Sequence, residues 1–303
     1  MNILVLGHKG LIGSSLFFKL QSIGFNVLSV NDISAYSDKY DFYQTSRDGF
    51  IELLRTVHVV IYAISDFSPS TCPDLGTTLY SKRRTTFSVF LSVIHEFGIK
   101  LYYCSSGGAV YGSLERKKFF TEDDKTLPIS NYGQLKDDYE KLVIDVLSVD
   151  NNYCIFRISN IFSYLQYFNV NQGIVGVFTR RIINDDVVEI YSNGESLRDY
   201  ISLSDAILLI SRIIELNGVG IFNISSSVGL KTKDLFDFIS VQLNKPHYDK
   251  VLIQEEHYGS PKSVVLSNYK IFAYLNIDNF FSEEYLMNQI REEVKMMVNE
   301  RRP

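Results

Sequence analysis

What the sequence has little of already narrows its class. Three cysteines, Cys72, Cys104 and Cys154, are an odd and sparse set. They argue against a disulfide framework and for reduced packing in a cytoplasmic protein. No apolar run approaches the roughly 18 residues of a membrane span. The longest, near Val57 to Ile64, suits a buried strand. Basic residues do not predominate: 30 Lys and Arg against 35 Asp and Glu give a net charge of −5. That balance excludes the electrostatic footprint of a nucleic-acid binder or an anionic-membrane binder. The start, Met1 to Gly7, has no basic n-region and no cleavage site, so no signal peptide is expected. The five histidines, His8, His58, His95, His247 and His257, show no metal-ligand spacing with one another or with cysteine, so no metal site is expected. Neither a Gly-x-Ser-x-Gly elbow nor a Walker lysine is present. There is no internal repeat, low-complexity tract or proline-rich linker.

What is there is apolar material arranged in alternation. The chain is 46% hydrophobic and 21% charged over 303 residues, enough for a sizeable core and one large or two ordinary domains. Ile3 to Leu6, Phe25 to Val30, Val57 to Ala63, Lys100 to Ser105 and Cys154 to Ile158 read as strands. Helical spacing runs over Leu11 to Ser22, Leu79 to Phe97 (stopped by Gly98) and Tyr132 to Leu147. Continuous apolar strands separated by helices predict an α/β fold, a Rossmann-type doubly wound parallel sheet covered on both faces. After about Asn160 the segments shorten and Gly173, Gly176, Gly194, Gly218, Gly220 and Gly229 punctuate them. This predicts a first domain over 1–160 and a smaller, mixed α/β domain over 161–303, the two allowed to interleave. The mixed-charge tail from Arg291 to Arg302 reads as a solvated helix with a frayed end.

Gly7-His8-Lys9-Gly10-Leu11-Ile12-Gly13 leaves a strand and opens a helix, the context that makes a glycine pattern informative. Gly7 permits the tight turn, Gly10 lets backbone approach a pyrophosphate, and Gly13 lets the helix pack close to the strand. The free N–H groups and positive dipole end of the helix then face the phosphates. Lys9 adds charge there or points to solvent. An acid about 20 residues on would accept from the adenosine ribose; the strand ends Val30-Asn31-Asp32, so Asp32 takes that part. No Arg or Lys adjoins it to hold a 2′-phosphate, which favours NAD over NADP.

Tyr132-Gly133-Gln134-Leu135-Lys136 places a phenol and an ammonium at i and i+4, on one helix face. A nearby ammonium favours the phenolate, which makes such a tyrosine a usable base near neutral pH. A second match, Tyr258 to Lys262, contains Gly259 and Pro261 and makes a poor helix. Cys104 to Gly112 leaves a strand at its C-terminal end, where doubly wound sheets bind ligands. Ser105 or Ser106 there can hydrogen-bond the oxygen that the tyrosine deprotonates.

Together these features resemble the extended short-chain dehydrogenase/reductase family, in its NAD-dependent nucleotide-sugar epimerase/dehydratase branch, and are similar to the 4-epimerases of UDP-glucose and UDP-N-acetylglucosamine. The resemblance rests on the glycine turn, on Ser105-Ser106-Gly-Gly-Ala-Val-Tyr-Gly, on Glu122 with Pro128-x-Ser130-x-Tyr132-Gly133-x-x-Lys136, and on Phe156-Arg157-x-x-Asn160. Ile190 to Ile201 with Arg198-Asp199-Tyr200, and Phe222-Asn223-Ile224, extend it to about residue 230. It implies that Tyr132 is the general base, that Lys136 holds the nicotinamide ribose, and that Ser106, or less directly Ser105, binds the sugar hydroxyl. It further implies that Gly7, Gly10, Leu11, Ile12, Gly13, Asp32 and Ala63 line the NAD site with Tyr132 and Lys136. Asn160 and Arg198 would contact the nucleotide diphosphate. The dehydratases of this branch carry an Asp-Glu pair where this chain has Gly108-Ala109, so the resemblance implies redox chemistry at one sugar carbon without dehydration. A C4 epimerase of a nucleotide-linked hexose comes first. A 4-keto sugar reductase, a 4-epimerase of a lipid-diphosphate-linked sugar, and a non-catalytic dinucleotide binder remain open. A homodimer through the helices near 80–97 and 132–147 and a part in surface-polysaccharide precursor synthesis are also implied. The chain departs from the family at Gly107, where many members have a third serine. Lys82-Arg83-Arg84 replaces a usual asparagine, and His257 to Lys262 stands where an arginine is common.

Overall fold

The computed structural model describes residues 1–29, 47–65, 67–68, 71–72, 74, 76–113, 118–168, 173–255 and 261–299. Asn31, Asp32 and the stretch from His257 to Ser260 lie outside them. In chain order the elements are β1 (Asn2–Leu6), α1 (Leu11–Ser22), β2 (Asn26–Ser29), α2 (Arg47–Arg55), β3 (Val59–Tyr62), α3 (Thr78–Glu96), β4 (Lys100–Ser106), α4 (Gly107–Val110), α5 (Asn131–Leu147) and β5 (Tyr153–Ile158). There follow β6 (Asn160–Phe162), α6 (Ile174–Asn184), β7 (Val188–Tyr191), β8 (Leu197–Ser202), α7 (Leu203–Glu215), β9 (Gly220–Ile224), β10 (Gly229–Lys231) and α8 (Thr232–Gln242). The chain ends with β11 (Val251–Gln254), β12 (Ser263–Val264), α9 (Tyr269–Leu275) and α10 (Glu283–Asn299). Two compact units divide them. The first comprises Met1–Ser106, Ser130–Arg157 and Ile210–Phe222; the second comprises Gly107–Ile129, Ile158–Leu209 and Asn223–Pro303.

The first unit is built on a sheet of order β2-β1-β3-β4-β5-β9, with β1, β2, β3 and β4 paired in parallel. Each of β1, β3 and β4 is buried along nearly its whole length, as a sheet covered on both faces requires. The chain leaves β1 for β2 on one side and then crosses to β3 on the other. The strand order therefore reverses between β1 and β3, and the crevice at their carboxyl ends is the ligand position of a doubly wound sheet. Helix starts follow local chemistry. Thr77 caps α3, its hydroxyl accepting from Tyr80 N at 3.2 Å, and Ser130 caps α5, accepting from Gly133 N at 3.0 Å. The two helices meet through aromatic packing: the Phe87 and Tyr139 rings stack with centroids 4.1 Å apart, and Tyr62 and Tyr103 pack around Phe87. Pairs of this kind contribute about 1 kcal/mol each beyond the area they bury.

In the second unit β8 is central, with β6 and β12 parallel to it and β10 antiparallel; β7 and β11 form a separate parallel pair. Phe162, Phe178, Tyr200, Phe236 and Ile290 belong to one buried cluster of this unit. The tail differs from its sequence expectation. Its charges mask an apolar stripe: Leu286, Ile290, Val294 and Met297 are all buried against that cluster, at the spacing of one helix face. Ile290→Ala should therefore lower the unfolding free energy by about 3 kcal/mol. Glu292→Ala, which removes only an exposed contact to Lys295, should change it by less than about 0.5 kcal/mol. Denaturant titration of the two variants measures the difference; equal effects would contradict the buried stripe.

Candidate active site

The glycine turn fills the crevice between β1 and β3. Gly7 has φ +87°, and a Cβ there would stand 2.7 Å from the Ala63 carbonyl carbon, inside contact distance. A Cβ on Gly13 would stand 2.1 Å from the Gly7 carbonyl oxygen, so no side chain fits. Backbone bonds lock the turn: Gly10 N donates to Gly7 O, Ser14 N to Gly10 O and Ala63 N to Leu6 O, each at 2.9 Å. Gly10 begins α1 with no side-chain cap, and the first turn, from Leu11 and Ile12, carries no acidic residue. The helix N-terminus is thus left with bare N–H groups and an uncompensated dipole end, the groups a diphosphate takes up. These residues fit a dinucleotide. Lys9 is exposed beside the turn.

Tyr132 and Lys136 come together in the first unit. They border one depression with Ile64, Ser65 and Phe67, the residues that follow β3. Lys136 is 7% exposed. Its Nζ donates to the Cys104 carbonyl at 3.2 Å and lies 5.9 Å from the Tyr132 ring centroid and 5.3 Å from that of Tyr103. The Tyr103 hydroxyl is buried with no hydrogen-bond partner among the described residues, and burial pushes its pKa well above the usual phenol value. Burial likewise pushes the Cys104 thiol up to about 12, although the Lys136 ammonium pulls it down; that thiol is inert at neutral pH.

The two serines at the end of β4 have different surroundings. Ser105 is 5% exposed, and its hydroxyl donates to Glu140 Oε1. Ser106, the last residue of the strand, is half-buried, and strand alternation sends its side chain to the opposite face. Glu140, four residues beyond Lys136 on α5, also accepts from Arg157 Nε at 2.9 Å and Nη2 at 2.7 Å. Sequence reasoning missed this carboxylate. Its only signal was the repeat of the four-residue step. Of the basic cluster on α3, Lys82 and Arg84 are exposed, Arg84 Nε lying 3.6 Å from Asp138, while the Arg83 guanidinium lies over the Phe67 ring at 5.9 Å.

In the second unit Asn160 opens β6, and its Nδ2 donates to the Asp199 carbonyl at 2.8 Å. The same amide is what a Cβ at Gly108 would meet, at 3.5 Å. Arg198 on β8 donates from Nη1 to the carbonyls of Leu197 at 3.0 Å and Lys262 at 3.1 Å, and from Nη2 to that of Pro261. Lys262 itself is exposed. Between these lies a second carboxylate to which sequence reasoning assigned no role. Asp199 is 1% exposed and accepts from Ser226 N, Ser226 Oγ, Ser227 N and Leu266 N at 3.1 to 3.2 Å. Burial pushes its pKa up to about 7, although these donors pull it down. Among the described residues no group of three or more His, Cys, Asp or Glu side chains gathers as a metal site, and no helix is long and apolar enough to cross a membrane.

A bare glycine turn at the reversal of a doubly wound sheet, with a Tyr-x-x-x-Lys helix beside it, defines a dinucleotide-dependent α/β enzyme. The sequence profile of the NAD dependent epimerase/dehydratase family matches residues 3–225, and the chain belongs to that family. NAD is the family's cofactor. A dTDP-4-dehydro-6-deoxyglucose reductase of Escherichia coli is 28% identical over 264 residues, 80% of this chain and 82% of that one. A UDP-glucose 4-epimerase of Mycolicibacterium smegmatis is 23% identical over 274 residues, covering 81% and 84%. The solved UDP-glucose 4-epimerase of Thermus thermophilus, in complex with NAD, superposes with a TM-score of 0.82 at 19% identity over 98% of this chain and 99% of that one.

Two expected outcomes follow from this geometry. Gly13→Ala should weaken NAD binding at least about 10-fold, since the turn must open to admit the methyl group; isothermal titration of NAD measures it, and unchanged affinity would contradict the packing. For Asp199 the folded pKa of about 7 lies above the ordinary value of 3.8. The folded protein therefore keeps a proton that the unfolded chain loses, and stability falls as pH rises through that window. Relative to Asp199→Asn, the native protein should lose on the order of 4 kcal/mol between pH 4 and pH 7 and nothing further above it. Denaturant titrations of both proteins across that range measure the loss, and parallel profiles would contradict it.

Proposed function

We propose that this protein is an NAD-dependent 4-epimerase of a nucleoside-diphosphate hexose, with a UDP-sugar as the first choice. The observation that carries the reading is the pairing of Tyr132 with Lys136 in the depression beside Ser65, in a chain whose Gly108-Ala109 provides no carboxylate for water loss. In this reading the first unit holds the cofactor and the second the nucleotide sugar. NAD when bound supplies the hydride acceptor, and in its reduced form the donor.

The chain's own residues manage the proton and the sugar. Tyr132 takes the proton of the C4 hydroxyl as that carbon is oxidised. Lys136, held at the Cys104 carbonyl with its Nζ 5.9 Å from the Tyr132 ring centroid, holds the nicotinamide ribose in this reading. Ser106 donates a hydrogen bond to the same oxygen. In this reading, charge that develops on that oxygen during the step is stabilised by these hydrogen bonds. The 4-keto sugar then presents its other face, the carbonyl is reduced, and Tyr132 returns the proton. Asn160 and Arg198 contact the diphosphate in this reading, with Arg198 exchanging the carbonyls of Lys262 and Pro261 for phosphate oxygens, which its planar fork of donors suits. A homodimer through α3 and α5 and a cytoplasmic setting in polysaccharide-precursor synthesis belong to the same reading.

A second reading has a specific observation in its favour. The Escherichia coli relative at 28% identity is a reductase of a 4-keto nucleotide sugar, and the same three side chains serve a one-way reduction.

Proton NMR with UDP-glucose, UDP-galactose, their N-acetyl forms and the uronic acids, run with and without added NAD, tests the proposal. The expected result is the C4 epimer of one substrate without any reductant. Loss of at least about 100-fold in rate is expected for Tyr132→Phe. Conversion only of a 4-keto sugar with stoichiometric NADH would instead establish the reductase.

A further inference from the structure

In the first unit a buried carboxylate beside Tyr132 and Lys136 on α5 has no task in the proposed chemistry. Glu140 is 1% exposed, and its carboxylate accepts from the Ser105 hydroxyl on β4 and from both Nε and Nη2 of Arg157 on β5. It therefore ties α5 to the ends of two neighbouring strands. A buried ion pair of this kind is weak evidence of stability, because apolar side chains of equal volume stabilise a core as well or better. What it supplies is direction. Tyr132, Lys136 and Glu140 follow one another at four-residue steps and share a stripe of α5. On the strand, Ser105 sits between Cys104, whose carbonyl takes the Lys136 ammonium at 3.2 Å, and Ser106.

We propose that Glu140 is a positioning residue for proton transfer: through Ser105 it fixes the last residues of β4 against α5, so that Lys136 and Ser106 keep one spacing relative to Tyr132. This rests on the catalytic reading of Tyr132, Lys136 and Ser106 given above. Glu140 touches no substrate and acts only through the strand it holds. Misplacements of about 1 Å at such a site lower rates by up to about 100-fold.

Three variants test it: Ser105→Ala, Glu140→Gln and the double. Ser105→Ala leaves the Glu140–Arg157 pair intact and removes only its tie to β4, so it decides the matter even if Glu140→Gln does not fold. Each single change should lower kcat about 10- to 100-fold with KM within about twofold. The double should be no worse than the poorer single, because both break one link. Additive losses would overturn the proposal, and so would wild-type kcat in Ser105→Ala. A second measurement needs no substrate. Acetylation of lysines, read by mass spectrometry, compares Lys136 with Lys100, which is equally buried at the other end of β4. In Ser105→Ala the labelling of Lys136 should rise about 10-fold while Lys100 stays protected. Labelling of both together would mark a general loosening and overturn the positioning role, as would continued protection of Lys136. If the native protein converts no nucleotide sugar, the functional reading fails on its own, and the labelling still decides whether Glu140 holds Lys136.

Discussion

A carboxylate shut away from water must find its donors inside the protein, and Glu140 finds three. Taking that charge out of solvent costs several kcal/mol, which only well-aligned partners offset. The first unit is arranged around this demand. Helix α5 must lie close to β4 for the carboxylate to reach Ser105, and β5 must end alongside for Arg157 to reach it. The same approach brings the Lys136 ammonium onto the Cys104 carbonyl. Removing either charged partner takes a buried ion-pair contact from the other, so the pair adds a polar constraint on helix and strand to the surrounding aromatic packing.

A second constraint, purely steric, acts at the other side of the crevice. Gly7, Gly13 and Ala63 bring β1, β3 and α1 so close that no Cβ fits at either glycine. Exclusion of side chains keeps backbone N–H groups at the surface of the turn, and the missing acidic residue in the first turn of α1 leaves its dipole uncompensated. In the proposed reading, cofactor affinity comes from backbone, while chemistry comes from three side chains on α5 and β4. The second unit repeats the device of the buried acid. Asp199 fastens the Ser226-Ser227 segment and Leu266 to β8, while its own carbonyl holds Asn160 and its neighbour is Arg198.

Much of this was legible in the sequence. The buried strands have local apolar runs, and β1 and α1 fall within a residue or two of their expected bounds. The helix expected over Tyr132 to Leu147 begins one residue after α5 does, and the glycine spacing announced the turn. Elements fixed by non-local contact were less legible. Glu140 looks like any surface glutamate until β4 and β5 are placed beside it. Likewise Asp199 stands in a recognisable motif, yet its donors come from residues 27, 28 and 67 positions away. The buried stripe of α10 was hidden by its charges, since a four-residue step of Leu286, Ile290 and Val294 is short against a run of acids and bases. The return of Ile210–Phe222 to the first unit follows from β9 joining the far edge of the sheet, a pairing that no local period reveals.

The central claim is that the sugar's C4 hydrogen leaves and returns as hydride within one site. The most direct measurement follows a nucleotide sugar deuterated at C4 through the reaction in ordinary water by NMR, with no added reductant. Hydride return within the site predicts that deuterium stays at C4 in both epimers and slows the interconversion. Deuterium lost to solvent, or a substrate that exchanges nothing and remains a single epimer across the panel of UDP-sugars, would contradict it.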